Sequence, residues 1–369
     1  MGKHELDLEA KLYQKTVIDK IKKIKFKKGS ESPFVVELDP TTQCNLNCLG
    51  CISGELLNQQ YFSSERLLKL GKELVDNDIK AVILIGGGEP LCHPAIGDLI
   101  EFLGENDVKI GLTTNGVLID KYIDVISKYC TWTRVSVDAG TEQMYKYLRP
   151  HKSGKSLFNK VISNMRMLAE SKTGRLGYSF LIRTDADGFN ITKTNIFELY
   201  DAAKLAKNIG CDYFEAKPSY NMNHFLVMHK KDYMGKAKTE IDKLSNLEDD
   251  KFRILKSINL EFTLKNKLNI QPKNYHGCPV SELRTLITPS GVYVCPYFRG
   301  RKDMCIGDLQ NSEFYDMWNG QQRAEVMERL DPQKDCKMHC IRHKSNLTLF
   351  KMQQSVDDIT ELEDFNFFI

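Results

Sequence analysis

The sequence has no run of about eighteen or more apolar residues, so no membrane-crossing helix is expected. Residues Met1 to Ala10 are rich in charge and lack the apolar stretch of a secretory signal. The 52 basic residues nearly cancel against the 49 acidic ones, leaving a net charge of +3. No global field suited to bulk nucleic-acid binding results. These absences lead to the expectation of a cytosolic chain, where disulfides are disfavoured.

What is present is an ordinary globular composition, 41% hydrophobic and 27% charged over 369 residues. That length allows one large core and a smaller appendage. There are 11 cysteines, many for such a chain. In a reducing compartment, clustered cysteines are better read as metal ligands than as staples. Three lie at 44–51 and five between 278 and 340. Cys92, Cys130 and Cys211 are scattered and read as ordinary buried small residues.

Residues 1–32 read as a basic lead-in, with Lys20, Lys22, Lys23, Lys25, Lys27 and Lys28 interleaved with Ile21, Ile24 and Phe26. The pattern is that of a solvated basic face over a few apolar anchors. From Phe34 a strand–helix rhythm begins, with strands expected at 34–38, 81–85, 110–113, 133–137, 178–182 and 213–216. Each is short, apolar and rich in β-branched or aromatic residues. The helical stretches between them, at 64–77, 95–106, 120–128, 157–170 and 194–209, argue for a parallel sheet covered by helices. Six such units over 33–228 suit an α/β fold, a partial (β/α)6 TIM-type barrel. Residues 229–270 read as a helical connector. Residues 271–345 read as a small second domain with short strands at 285–288 and 292–295. A tail, 346–369, has an apolar end at Phe365–Ile369.

Cys44, Cys48 and Cys51 follow the first strand in one short loop, at the end of a parallel sheet where barrel sites lie. Three thiolates at that spacing can hold three irons of a cubane cluster and leave the fourth iron open. Zinc is the competing ligand, but a closed zinc site wants four ligands and no fourth lies nearby in sequence. Gly86-Gly87-Gly88-Glu89-Pro90 follows the second strand. Its glycines permit close backbone approach, and Glu89 complements an ammonium group. A phosphate loop is disfavoured, because no Lys-Ser/Thr follows. Thr113-Thr114-Asn115-Gly116 ends the third strand and Ser136-Val137-Asp138 the fourth.

In order, these motifs resemble the radical S-adenosylmethionine (SAM) superfamily over most of residues 34–220. The resemblance implies a [4Fe–4S] cluster on Cys44, Cys48 and Cys51. It also implies a SAM site built from Gly87, Gly88, Glu89, Asn115, Ser136, Asp138 and Arg149. Glu89 would take the amino group of SAM, Ser136 and Asp138 the ribose hydroxyls, and Arg149 its carboxylate. One departure is Gly50, where the superfamily usually has an aromatic residue that packs near adenine. The C-terminal cysteines resemble SPASM and twitch extensions, with one auxiliary [4Fe–4S] cluster expected on Cys278, Cys295, Cys336 and Cys340. Cys305 is the spare, and zinc is the alternative there.

The same resemblance sets the functional expectations. An external electron donor of flavodoxin or ferredoxin type reduces the first cluster, and SAM is cleaved to a 5′-deoxyadenosyl radical. That radical takes hydrogen from a small polar substrate: a sugar, nucleotide sugar or aminocyclitol. Net oxidation, dehydration or epimerisation is the expected outcome. Glu215, Lys217 and Arg183 are the leading substrate-handling candidates, with Tyr220, Asn221, His224 and Asp185 beside them. His93 is a weaker candidate, and His339 and His343 read as surface residues. Peptide modification is the alternative. It is disfavoured by the roughly 33 residues before the first strand, too few for a typical leader-binding domain. Nucleotide cyclisation of the molybdenum-cofactor type is disfavoured by the lack of a close C-terminal cysteine triplet and terminal glycine pair. A non-enzymatic iron–sulfur carrier is the alternative of another class, and it would need neither Glu89 nor Asp138.

Overall fold

The computed structural model describes residues 7–24, 32–185, 191–219, 233–264, 273–336, 340–354 and 359–369. Its centre is one ten-stranded sheet. The strands are β1 (Val35–Leu38), β2 (Ala81–Leu84), β3 (Lys109–Thr114), β4 (Cys130–Ser136), β5 (Arg175–Ile182), β6 (Tyr213–Pro218), β7 (Arg253–Lys256), β8 (Arg284–Thr288), β9 (Gly291–Tyr293) and β10 (Cys305–Gly307). Their spatial order is β10-β9-β8-β1-β2-β3-β4-β5-β6-β7. The stretch from β8 through β1 to β7 is parallel throughout. Only β9 and β10 run antiparallel to their neighbours.

The apolar run of each inner strand follows from cover on both faces. All four residues of β1 and of β2 are buried. One face, with Val36, Leu38, Val82, Leu84, Leu112 and Val135, joins the main core under the helices. The helix Ser64–Asp76 shows how they dock. Ser63 caps it by accepting from the Arg66 N–H at 3.1 Å, and Leu67, Leu70 and Leu74 face the sheet in helical spacing. The other face of β1 and β2 supplies Val35, Ala81 and Ile83 to a second apolar cluster. The helix Lys15–Lys23 and the tail complete that cluster through Val17, Ile21, Phe368 and Ile369. The lead-in thus keeps Lys22 and Lys23 exposed over apolar anchors, as its sequence indicates. Lys25, Lys27 and Lys28 lie outside the described residues. Phe368 of the tail meets Trp132 of β4 edge-on at 5.4 Å.

The parallel α/β architecture expected from the sequence is present. Two extensions of it were not foreseen. The connector contains, besides the helix Tyr233–Leu244, a seventh parallel strand, β7. Its Arg-Ile-Leu-Lys sequence is half-exposed at the sheet edge and carries little of an inner strand's apolar signal. The C-terminal strands also join the same sheet: β8 pairs in parallel with β1 in the register Val35↔Arg284 to Leu38↔Ile287.

Candidate cofactor sites

Cys44, Cys48 and Cys51 lie in the loop that leaves β1, all half-buried. Backbone bonds from Asn47 N–H to the Pro150 carbonyl (2.8 Å) and from Leu49 N–H to the Leu148 carbonyl (2.9 Å) tie the loop down. Arg183 clamps it from the β5 side. Its Nη1 reaches the Gly50 carbonyl and its Nη2 the Leu49 carbonyl, each at 3.3 Å. Arg183, expected to handle substrate, is thus 4% exposed with its guanidinium on the carbonyls of the cysteine loop. Gly50 has φ +61°, a conformation that an aromatic side chain there would strain. Burial pushes the thiol of Cys44 up to about 12 and also raises that of Cys48. Holding both as thiolates therefore calls for a strong Lewis acid.

The Gly86–Pro90 turn presses directly on the strand entering this loop. A Cβ on Gly88 would lie 2.1 Å from the Gln43 carbonyl oxygen, and one on Gly86 would lie 1.9 Å from that of Gly88. Only glycine fits either place. The Glu89 N–H donates to the Gln43 carbonyl at 2.8 Å. The Glu89 carboxylate is 3% exposed. It accepts from Thr114 Oγ1 at 2.6 Å, from Asn115 N–H at 2.7 Å and from Leu91 N–H at 3.2 Å. Among the described residues it has no ion-pair partner. Burial raises its pKa despite those three donors, and a cation placed beside it would favour the charged form. Asn115 bridges back to the loop, donating to Asn45 Oδ1 at 2.7 Å, with Cys44 Sγ 4.0 Å away.

Asp138 ends β4 in a left-handed conformation, φ +59°. Its Oδ1 accepts from Leu181 N–H at 2.7 Å. Its Oδ2 accepts from Arg149 Nε at 2.8 Å and Nη2 at 2.5 Å. Both oxygens are thus engaged within the protein, and Asp138 anchors Arg149. The remaining Nη1 of Arg149 faces Cys48 Sγ at 3.7 Å, where a guanidinium favours thiolate. Ser136 is half-buried and in register with Ser179 of β5.

On one face of the sheet, Glu215 receives Arg134 Nη1 at 3.1 Å and Lys217 Nζ at 3.3 Å. Arg134 also donates to Thr113 at 3.2 Å, while its Nε is buried without a partner. Burial pushes Glu215 up, but Lys217 and Arg134 outweigh it and hold the carboxyl below its usual range. Burial and then Arg134 lower Lys217. Arg134 and Thr113 were missed as members of this group. Their signal was present in the alternation of β3 and β4, which puts both on the same face as Glu215. Asp185 accepts a hydrogen bond from Tyr233. Tyr220, Asn221, His224 and His339 lie outside the described residues.

His93 is structural. Its Nε2–H donates to the Phe62 carbonyl at 2.7 Å and its Nδ1 accepts from Ala95 N–H at 3.2 Å, which fixes a neutral tautomer. His343, expected on the surface, is buried against Tyr275, with Nδ1 3.1 Å from the phenol oxygen. Cys130 and Cys211 are buried as expected, whereas Cys92 is half-buried beside the SAM-side loop, its sulfur facing the Asn45 N–H.

Cys278, Cys295, Cys336 and Cys340 all line one small cavity of about 30 Å³, together with Lys273, Tyr275, Tyr297, Phe298 and Asn346. Cys278 precedes the helical turn Val280–Leu283, Cys295 follows β9, and Cys336 ends the turn Pro332–Asp335. Asn346, on the helix His343–Gln354, accepts from Val280 N–H at 3.0 Å and lies 3.5 Å from Cys278 Sγ. Burial raises the thiols of Cys295, Cys336 and Cys340, Cys336 to about 12. Cys305 is on β10 instead, donating to the Gly307 carbonyl at 3.3 Å, and does not line this cavity. Among the described residues no three His, Cys, Asp or Glu groups converge as the ligands of a single metal ion would. Four thiols around one cavity are a ligand set that a cubane or a zinc ion could use.

A family model described as "Radical SAM superfamily" matches residues 38–185. That span runs from the end of β1 to the Arg183 clamp and includes all three loop cysteines, the glycine turn and Asp138. Residues 38–185 thus form a radical SAM domain, and [4Fe–4S] and SAM are that family's cofactors.

Among curated proteins, it is 33% identical over 108 residues to a probable GTP 3′,8-cyclase of Archaeoglobus fulgidus, covering 29% of this chain and 36% of that one. It is 24% identical over 205 residues to the mycofactocin maturase MftC of Mycobacterium tuberculosis, covering 50% and 44%. The chain thus spans well under two thirds of either relative. Among solved structures, Streptococcus suis SuiB bound to precursor peptide SuiA superposes with TM-score 0.59 at 16% identity, over 82% of this chain and 68% of that one. Native anSMEcpe with bound AdoMet and a Cp18Cys peptide gives TM-score 0.57 at 16% identity, over 90% and 93%. The shared fold thus extends well beyond the matched domain.

Proposed function

We propose that this protein is a radical SAM enzyme with one auxiliary iron–sulfur cluster, acting on a small polar substrate held on the sheet face that carries Arg134, Glu215 and Lys217. The observation that carries the first half is Glu89: a buried carboxylate with no ion-pair partner among the described residues, one hydrogen-bonded step from the three-cysteine loop. It fits the ammonium of SAM, while Cys44, Cys48 and Cys51 fit three irons of a cubane. When bound, the cluster and SAM supply a 5′-deoxyadenosyl radical able to take hydrogen from an unreactive C–H bond.

The chain's own residues do the positioning. Asn115 ties the Glu89 turn to the cluster loop, Arg183 holds that loop's carbonyls, and Asp138 orients Arg149 toward Cys48. The Arg134–Glu215–Lys217 group offers charged hydrogen-bonding partners to a substrate's hydroxyl or amino groups. Ser136 lies beside it for a ribose or a substrate hydroxyl. Cys278, Cys295, Cys336 and Cys340 hold the auxiliary cluster, placed to accept an electron in a net oxidation. A flavodoxin or ferredoxin type of donor supplies the reducing electron.

Peptide modification is a second reading, favoured by the likeness to MftC and by the fold shared with SuiB. Anaerobic assay of the reconstituted protein with dithionite separates these readings from a mere carrier. We expect 5′-deoxyadenosine from SAM, stimulated by the true substrate; its complete absence would refute the enzyme. Stimulation by sugars or aminocyclitols supports the first reading, and stimulation by a peptide the second.

A further inference from the structure

The turn that follows Cys295 reaches out of the auxiliary cavity and touches the SAM side at two points. Arg299 comes four residues after Cys295, at the end of the turn Pro296–Phe298, whose Tyr297 and Phe298 line the cavity. Its Nε donates to Asp39 Oδ2 at 2.8 Å and its Nη2 to Asp39 Oδ1 at 3.0 Å. Asp39 is the residue that leaves β1, fully buried at 0% exposure. Its Oδ2 also accepts from the Gly87 N–H at 2.9 Å, in the middle of the glycine turn. The next residue, Gly300, has φ +80°, and a Cβ there would lie 2.8 Å from Leu56 Cδ2. Leu56 belongs to the turn Gly54–Leu56, directly behind Cys51. One short segment therefore lines the auxiliary cysteine cavity, reaches the glycine turn through Asp39 and meets Leu56 behind the cysteine loop.

Resting on the two cofactor sites proposed above, we infer that Arg299 is a positioning residue for SAM binding, coupling the auxiliary cysteine site to the Glu89 turn through Asp39. The fork of two parallel N–H···O bonds fixes the Asp39 carboxylate in plane and in charge. That carboxylate fixes Gly87, and with it the height at which Glu89 faces an ammonium. Without the guanidinium, the buried carboxylate keeps, among the described residues, the Gly87 N–H as its donor, and its neutral form gains. Gly87 N–H then faces a weaker acceptor, and the turn loosens. A shift of the Cys295 turn on gaining or losing its cluster reaches SAM by the same route.

The test is equilibrium dialysis of labelled SAM against the anaerobically reconstituted full chain. Arg299→Met should raise the SAM Kd about tenfold or more, the worth of a charge-assisted bond, with iron and sulfide content unchanged. Arg299→Lys should recover part of the loss, since the charge returns without the fork. Asp39→Asn should weaken SAM similarly. The double variant should be no worse than the poorer single one, because both act on one chain of contacts. Cys295→Ser should weaken SAM binding as well. Unchanged affinity in Arg299→Met, or fully additive losses in the double variant, would overturn the inference. If Arg299→Met loses iron at both sites, Arg299→Lys and Asp39→Asn carry the test alone, and wild-type affinity in both sinks it. A wild type that binds SAM without cleaving it would instead refute the proposed function and leave the coupling standing.

Discussion

The two cysteine sites differ in how the chain builds them. Cys44, Cys48 and Cys51 sit in one loop, held by bonds to the Leu148–Pro150 segment, Arg183 and Asn115. The other four come from segments that meet only in the folded protein: before β8, after β9, and on both sides of residues 337–339. The first site is made by a local loop on a parallel strand and needs the sheet only to orient it. The second exists only once β8, β9 and the helix His343–Gln354 are in place. The first should therefore be fragile in chemistry and robust in folding, and the second the reverse.

The largest effect expected comes from replacing Cys44, Cys48 and Cys51 together by Ala. Formation of 5′-deoxyadenosine should vanish, yet about four irons and four sulfides should remain on the C-terminal cysteines. Zinc without sulfide in that variant would remove the auxiliary cluster from the comparison. Next in size is Cys336→Ala, which should cost the auxiliary iron and lower thermal stability, because Cys336 lines the cavity together with the other three cysteines. An unaltered melting transition with full iron content would contradict the assembled nature of the site. Glu89→Gln should weaken SAM by roughly 1–3 kcal/mol, about five- to 150-fold, at constant iron content; unaltered affinity would mean that the ammonium sits elsewhere.

A smaller effect is expected from pH. Burial outweighs Arg299 and, with a minor push from Glu37, holds the Asp39 carboxyl up at about 6. As pH falls through that value, Asp39 takes a proton and its charge pairing with Arg299 weakens. SAM affinity should then drop in the wild type and stay flat in Asp39→Asn. Stability carries the opposite sign. The folded state holds this proton more tightly than the unfolded one, whose value is near 3.8, so Asp39's contribution is greatest below 3.8 and is lost as pH rises to about 6. The smallest change is expected from Cys305→Ala, with both clusters kept; loss of the auxiliary iron there would show that the ligand set is misassigned.

Local motifs made the first site legible. The cysteine spacing, the glycine turn and the strand-end polar residues all lie within a few residues of the strands that present them. Partners were not legible. Arg183 ends a strand like any site residue, and nothing in its neighbourhood says that it faces Leu49 and Gly50. Asp138 gave its position but not its engagement with Arg149. His343 looked like a surface histidine because the tyrosine that covers it is 68 residues away. β7 was hidden by the charges that flank an edge strand. The place of β8 beside β1 depends on a pairing that no sequence window contains.

That pairing has a consequence during synthesis. About 250 residues separate β1 from β8, so the β8-facing edge of β1 emerges long before its partner. At translation rates of about 5–20 residues per second, the edge stays open for roughly 10–50 s. An apolar strand with unpaired N–H and C=O groups is a template for other chains. The nascent protein is then most exposed to aggregation after β1 and its loop have emerged and before β8 is made. Slowing translation in that interval, or leaving a nascent chain without holdase chaperones, would be expected to lower the soluble yield more than the same slowing after Thr288.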